Sequence, residues 1–217
     1  MEDTAGPAGD VLDPRRCAVL ALHWQVNVVR PEGFFGPMLA EQVVRSGVVG
    51  RARAFHEAAR AAGVRLVFTR FTVPPDGGAL VANTGFMAAV AAHAAAFAPD
   101  AAGAAVVDDV GHDPEIDLVV DNQRLSAFGA SDLEARLAAA GVTTVFVTGV
   151  ATNLTVEQTA RAATDLGFTT FVVADCSTAA GDATHEASLA NLELATAGCL
   201  SSASVLARLA APPVGPA

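Results

Sequence analysis

The chain has 217 residues, 52% of them hydrophobic, and a formal charge of −10. That length and composition fit one globular domain with a sizeable core and exclude a disordered chain. All 13 basic residues are arginines, scattered along the sequence, so the basic surface that a phosphate backbone requires is missing and no nucleic-acid partner is expected. No apolar run reaches the roughly 18 residues that cross a bilayer, and Met1 to Asp10 lacks the charged-then-apolar pattern of a leader. A cytoplasmic protein without membrane contact is expected.

Residues 1–12 read as a flexible N-terminal segment, 13–210 as a single α/β domain and 211–217 as a C-terminal tail. Cys17 to Leu22 is a continuous apolar run, the pattern of a central parallel strand, and it stops at His23-Trp24-Gln25. A Pro- and Phe-bearing loop over Arg30 to Pro37 precedes a helix expected from about Val43 to Ala62, closed by Gly63. Val64 to Thr69 reads as the next strand, and the Ala-rich Gly85 to Phe97 as a helix. Leu118 to Val120 is a short strand. Ser131 to Glu134 opens a helix with a capping-box-like start. Val142 to Val147 feeds Gly149 and then a helical pattern through Val156, Thr159, Ala160 and Ala163. A strand at Phe168 to Ala174, a helix at Ala183 to Ala195 and a last strand near Leu200 to Ala203 complete the alternation. Alternating strands and helices predict a doubly wound three-layer α/β/α sandwich around a mainly parallel sheet.

The stretch Phe146 to Val156 is a strand, a tight glycine turn and a helix start, which in such a sheet lies at the carboxyl edge where ligands bind. Cys17, Cys176 and Cys199 are widely spaced and form no C-x-x-C pair, so buried, inert thiols are expected rather than disulfides or a zinc site. No metal and no cofactor are expected. The chain contains no lysine.

From about Asp13 to Leu209 the sequence resembles the isochorismatase-like (cysteine hydrolase) superfamily. The resemblance rests on Ala18 to Gln25, on Arg124 to Phe128 with Asp132-Leu133, and on Gly149 to Val156. It extends to Asp165 to Phe168, Asp175, and His185 to Ala187 with Leu189. The resemblance implies a triad: an aspartate base ending the first strand, a lysine before the Arg-aromatic-Ser-Ala-Phe segment, and a cysteine nucleophile after Gly-Val-x-Thr-Asn. It also implies a cis peptide after the valine of Gly-Val, with backbone N–H groups forming an oxyanion hole over Val150, Ala151, Thr152 and Asn153. In isochorismatases proper the cysteine is absent and the aspartate protonates a vinyl ether. Carried onto this chain, the three positions are His23, Asn122 and Thr155.

A threonine hydroxyl needs an adjacent strong base to act as a nucleophile, and Asn122 is none. Thr155 is either the partner of His23 in a Thr–His pair or a hydrogen-bond donor and packing residue. His23, with an ordinary imidazole pKa near 6.5, is either a general acid or base or a packing residue in a dead pocket. Asn122 either holds a ligand oxygen or serves structure. Trp24, Phe34, Phe35, Phe71, Phe86, Phe128 and Leu154 fall in loops expected to ring the site, which favours an apolar or aromatic ligand. Arg70 and Arg124 are carboxylate-pairing candidates, with solvated arginine the expected state of each. The reading that results is a divergent enzyme acting on a small molecule by non-covalent acid/base chemistry: ring closure or opening, elimination, isomerisation or vinyl-ether-type hydrolysis. A secondary-metabolic setting suits the composition. The alternatives are an inactive ligand-binding or partner subunit and, last, an ordinary amidohydrolase. The resemblance further implies a homo-oligomer, a dimer or larger.

Overall fold

A computed structural model describes residues 11–210; the expectations for the first ten residues and for 211–217 lie outside it. Six parallel strands form one sheet in the order β3-β2-β1-β4-β5-β6. They are β1 (Cys17–Leu22), β2 (Arg65–Phe71), β3 (Leu118–Asn122), β4 (Thr144–Val150), β5 (Thr169–Thr178) and β6 (Cys199–Leu200). The helices are α1 (Val26–Val29), α2 (Gly36–Ser46), α3 (Val48–Ala61), α4 (Gly85–Ala92), α5 (Leu133–Ala139), α6 (Glu157–Asp165), α7 (Asp182–Ala195) and α8 (Ser202–Ala210). None of them is long and apolar enough to cross a membrane.

The pleat of β1 decides the layering. Cys17, Val19 and Ala21 point into one core layer with Phe55 of α3 and Val205 of α8. Ala18, Leu20 and Leu22 point into the other, with Leu137 of α5, Ala160 of α6 and Leu192 of α7. Both faces of every central strand are therefore covered, as the continuous apolar run of β1 requires. A third, smaller cluster of Phe71, Val73, Met87, Val90 and Phe97 lies under α4.

Three local expectations are corrected. The helix expected over Val43 to Ala62 is two helices, α2 and α3, because Gly47 takes a left-handed φ of 64° and ends α2 with its N–H on the Val44 carbonyl. The Ser131–Glu134 capping box does not form: Ser131 donates its hydroxyl to the Ala127 carbonyl, and α5 begins after Asp132 without a side-chain cap. The helix start expected at the end of the Phe146 to Val156 stretch is a π-turn, Thr152–Val156, which carries Thr155 and precedes α6.

Strand order reverses between β1 and β4, so the crevice at their carboxyl ends is the topological switch point. Leu22 is in register with Thr69 of β2 on one side and Gly149 of β4 on the other. Gly149 has φ 142°, and a Cβ there would clash with the Leu22 carbonyl oxygen and stand 2.8 Å from the Leu22 Cβ. Only glycine lets β4 approach β1 this closely. Gly149→Ala is therefore expected to destabilise the fold by about 3 kcal/mol or more, whereas Gly50→Ala, in helix α3 with nothing within 4 Å of the new methyl, should be neutral or stabilising by up to about 1 kcal/mol. Urea denaturation of the two variants measures the contrast; equal effects would remove the close-approach argument.

Candidate active site

His23 directly follows β1 and extends its ladder by one bond, donating its N–H to the Thr69 carbonyl at 3.1 Å. Its φ is 53°, a region that histidine visits more readily than most residues. The ring is buried, edge-on to Phe71. Nε2 lies 3.1 Å from Oδ1 of Asn122, the last residue of β3. Asn122 donates its Nδ2 protons to the carbonyls of Arg124 and Ser126, at 2.6 and 3.2 Å. Two carbonyls can only accept, so the amide orientation is determined and Nε2 of His23 must carry the proton. Burial pushes the His23 pKa down to about 4, against the smaller opposing effect of the Asn122 hydrogen bond. The imidazole is thus neutral at pH 7, and its pKa is not the ordinary 6.5. Its Nδ1 lone pair has no hydrogen-bond partner among the described residues.

Thr155 lies across the crevice on the π-turn and donates its hydroxyl proton to the Leu125 carbonyl at 2.9 Å. No Thr155–His23 hydrogen bond is present among the described residues. The Val150–Ala151 peptide is cis. The Ala151 carbonyl accepts from the N–H groups of Leu154 and Val156, at 3.1 and 3.3 Å, which folds the turn back on itself. Thr152 pairs with Nδ1 of His185 on α7 at 2.7 Å and is fully buried.

His23 and Thr155 face one cavity, walled also by Val150, Ala151 and Leu154. Of the expected aromatic ring, Phe35, Phe71 and Phe86 are on the wall, and Phe35 stacks on Phe86 with centroids 5.2 Å apart. Phe34 is behind the wall, against Phe35 and Phe97. Trp24 is elsewhere: it is fully buried in the α3-side core, edge-on to His56. Phe128 packs on Phe168 in the opposite layer. Asn122, Thr152 and Asn153 are also off the wall, and Asn122 reaches the cavity only through His23.

Sequence reading missed Gln25, Met38, Leu39, Met87, Phe97 and Leu125, which complete much of the lining. Met87 and Phe97 fall in the Ala-rich helical stretch, Met38 and Leu39 between the Pro- and Phe-bearing loop and the next expected helix, and Leu125 in the Arg124 to Phe128 segment, and no local pattern marks any of them as lining a cavity. Gln25 was legible as part of the first-strand motif. Its Oε1 accepts from the Phe71 N–H at 2.7 Å and its Nε2 donates to the carbonyls of Phe71 and Ala104, which ties β2 to the wall. The cavity volume is about 40 Å³, room for a few waters. No charged side chain lines it.

The remaining titratable groups sit apart. Arg70 makes a two-pronged pair with Asp121, its register partner on β3. His56 is core: Nδ1 donates to the Val110 carbonyl and Nε2 accepts from the Thr148 hydroxyl, both at 3.0 Å, and burial lowers its pKa to about 4. Burial raises the Cys17 thiol to about 11 and those of Cys176 and Cys199 to about 12. Among the described residues no three His, Cys, Asp or Glu side chains are placed to hold a metal ion.

The isochorismatase domain family matches residues 17–204. The chain belongs to the isochorismatase family. Its fold is that of a cysteine hydrolase from Pseudomonas syringae pv. phaseolicola, with a TM-score of 0.79 at 24% identity over 92% of this chain and 94% of that one. Over 90 residues this isochorismatase-family chain is 40% identical to the ureidoacrylate amidohydrolase RutB of Methylobacterium radiotolerans, a stretch covering 41% of the chain and 34% of that protein. Over 76 residues it is 41% identical to Nicotinamidase 3 of Arabidopsis thaliana, covering 35% of the chain and 38% of that protein. The aligned stretches span well under half the length of these curated relatives.

The two buried imidazoles set a pH dependence. Each has a folded pKa near 4 against an ordinary value of 6.5, so unfolding takes up protons below 6.5. Their contribution to stability is complete above pH 6.5 and is lost as pH falls toward 4, each adding a slope of up to about 1.4 kcal/mol per pH unit. Urea titrations between pH 7.5 and 4.5 should show this fall, shallower in His23→Leu; a curve flat from 6.5 to 5 would contradict neutral burial. The raised thiols make a companion prediction: at pH 8 iodoacetamide should leave the native protein almost unlabelled and modify all three cysteines only after unfolding, read by mass spectrometry.

Proposed function

We propose that this chain is a divergent isochorismatase-fold enzyme that acts on a small apolar or aromatic-bearing molecule by proton transfer, without a covalent intermediate. The observation that carries the reading is the neutral His23, whose Nε2–H is committed to Asn122 and whose Nδ1 lone pair is on a side chain that lines the cavity. With a pKa near 4, it is a base at any physiological pH and has no proton of its own to give as an acid. Asn122 is the positioning residue that selects the tautomer. Backbone N–H groups of the Val150 to Asn153 turn are the candidates for polarising an oxygen, since the Asn122 amide and the Thr155 hydroxyl proton are both engaged by carbonyls. Ring closure or opening, elimination and isomerisation are the compatible reaction types. A cytoplasmic, secondary-metabolic setting and a homo-oligomeric assembly belong to the same proposal.

Amide hydrolysis, the activity in the names of two relatives, is the less favoured chemistry. The covalent route that the family resemblance implies requires a nucleophile at position 155, and the threonine there donates to Leu125 rather than facing a base. A non-catalytic binding or partner subunit is the second reading. The observation favouring it is the small size of the cavity together with the saturated hydrogen bonds of Asn122 and Gln25.

The test compares wild type with His23→Ala and Thr155→Val on neutral small molecules, with conversion followed by NMR in deuterated water. Turnover should fall well over tenfold in His23→Ala with the circular dichroism spectrum kept, and stay within about threefold in Thr155→Val. Unchanged turnover in His23→Ala removes the histidine from the mechanism. Ammonia release from nicotinamide, with an acyl adduct on Thr155, would restore the hydrolytic reading.

A further inference from the structure

The polar groups left open on the cavity wall are all of one kind. Gln25 has spent both N–H protons on carbonyls. The Thr155 hydroxyl proton is spent on Leu125, so only oxygen lone pairs remain to it. His23 offers the Nδ1 lone pair, because its proton is on Nε2. Every side-chain polar function with capacity left is therefore an acceptor. The wall carries no cation to meet a carboxylate and no anion to meet an amine, and Arg70, the nearest arginine in sequence to the wall residue Phe71, is taken by Asp121.

We propose that the ligand of this cavity is an uncharged, largely apolar molecule bearing a hydroxyl group, and that this hydroxyl donates to His23 Nδ1. The assignment rests on the reading of the cavity as the working site and adds the chemical class that the site selects. A charged ligand would lose its hydration without gaining a counter-ion. A purely apolar ligand would bury the Nδ1 lone pair unpaired. A hydroxyl both satisfies Nδ1 and keeps an oxygen free for the backbone N–H groups of the turn. A ring needs more space than about 40 Å³ provides. Under the proposal that space would come from rotamer changes of Met38 and Met87, unbranched wall side chains with three rotatable bonds, of which Met38 is 44% exposed at the surface.

Phenol, toluene and benzoate, nearly matched in ring size, separate the cases. Each is titrated into the full chain labelled with ¹⁵N-histidine, and binding and the His23 imidazole nitrogen shifts are read together. Phenol should bind several-fold more tightly than toluene and move the Nδ1 resonance; toluene should leave Nδ1 in place, and benzoate should not bind in the millimolar range. In His23→Leu the order of phenol and toluene should reverse, and the wild-type shifts decide the matter if that variant does not fold. Toluene binding as tightly as phenol, with Nδ1 unmoved by either, overturns the hydroxyl requirement and leaves the cavity as a binding site. Benzoate binding that matches phenol and disappears in Arg124→Gln overturns it differently, by assigning a carboxylate clamp to Arg124, whose Nη1 is buried without a partner. Failure of all three ligands to bind sinks both the inference and the working-site reading.

Discussion

A buried imidazole can end the central strand only if it stays neutral, and the hydrogen bond from His23 to Asn122 is what makes that state specific. The two carbonyls of Arg124 and Ser126 orient the asparagine amide, the amide oxygen takes the Nε2 proton, and the lone pair is thereby left on Nδ1. The family resemblance puts an aspartate and a lysine at these two positions. That pair is neutral overall, and so is His23 with Asn122. Changing one partner alone would leave a buried charge with no counter-ion, a loss of about 3 to 5 kcal/mol. In the terms of that resemblance the two positions are coupled by electrostatics, since an aspartate at the first needs a cation at the second to avoid that loss.

The rest of the site is built on backbone geometry that does not depend on the identity of the reactive group. Gly149 lets β4 lie against the carboxyl end of β1. The cis peptide and π-turn follow at once, and His185 reaches from α7 to hold Thr152 in that turn. Gln25 ties the end of β2 to the chain after β1. These fixtures belong to the seat, and Thr155 occupies it with its proton directed into the scaffold. A turn held in this way provides a rigid wall.

The sheet was readable from the sequence because its strands are continuous apolar runs separated by helical periodicity, and the motif around Gly149 located the switch point. Helix boundaries were less readable. The break at Gly47 leaves the apolar periodicity on both sides intact, so a single helix and two helices look alike in the pattern. The pairing of His23 with Asn122 joins residues 99 positions apart, and position within motifs placed both at one edge without giving the hydrogen bond or the tautomer. The cavity wall was half legible for a similar reason. Phe35, Phe71 and Phe86 fall in or near loops at the carboxyl edge and were expected, whereas Trp24 adjoins His23 in sequence and yet points into the α3-side core, because chain neighbours at a strand end diverge. Met38 and Met87 belong to helices whose apolar faces carry no mark of a ligand.

Base strength does not distinguish His23 from the carboxylate that the family resemblance puts at its position. An imidazole lowered to about 4 has the proton affinity of an ordinary aspartate, near 3.9. The difference lies in the product of protonation. A carboxylate that takes a proton becomes neutral, while His23 would become a cation in a cavity that has no carboxylate. Under the proposed reading, that cation forms only beside a substrate that has itself become an anion, and the pair must collapse before it separates. Such a site suits reactions in which one proton leaves an oxygen or carbon and returns nearby within a single bound complex. It is poorly suited to hydrolysis through a long-lived acyl intermediate, where the base would have to hold its proton while a leaving group departs. The uncharged wall, whose side chains offer only acceptors, and the commitment of the Thr155 hydroxyl proton to Leu125 are separate observations that both support the proposed chemistry.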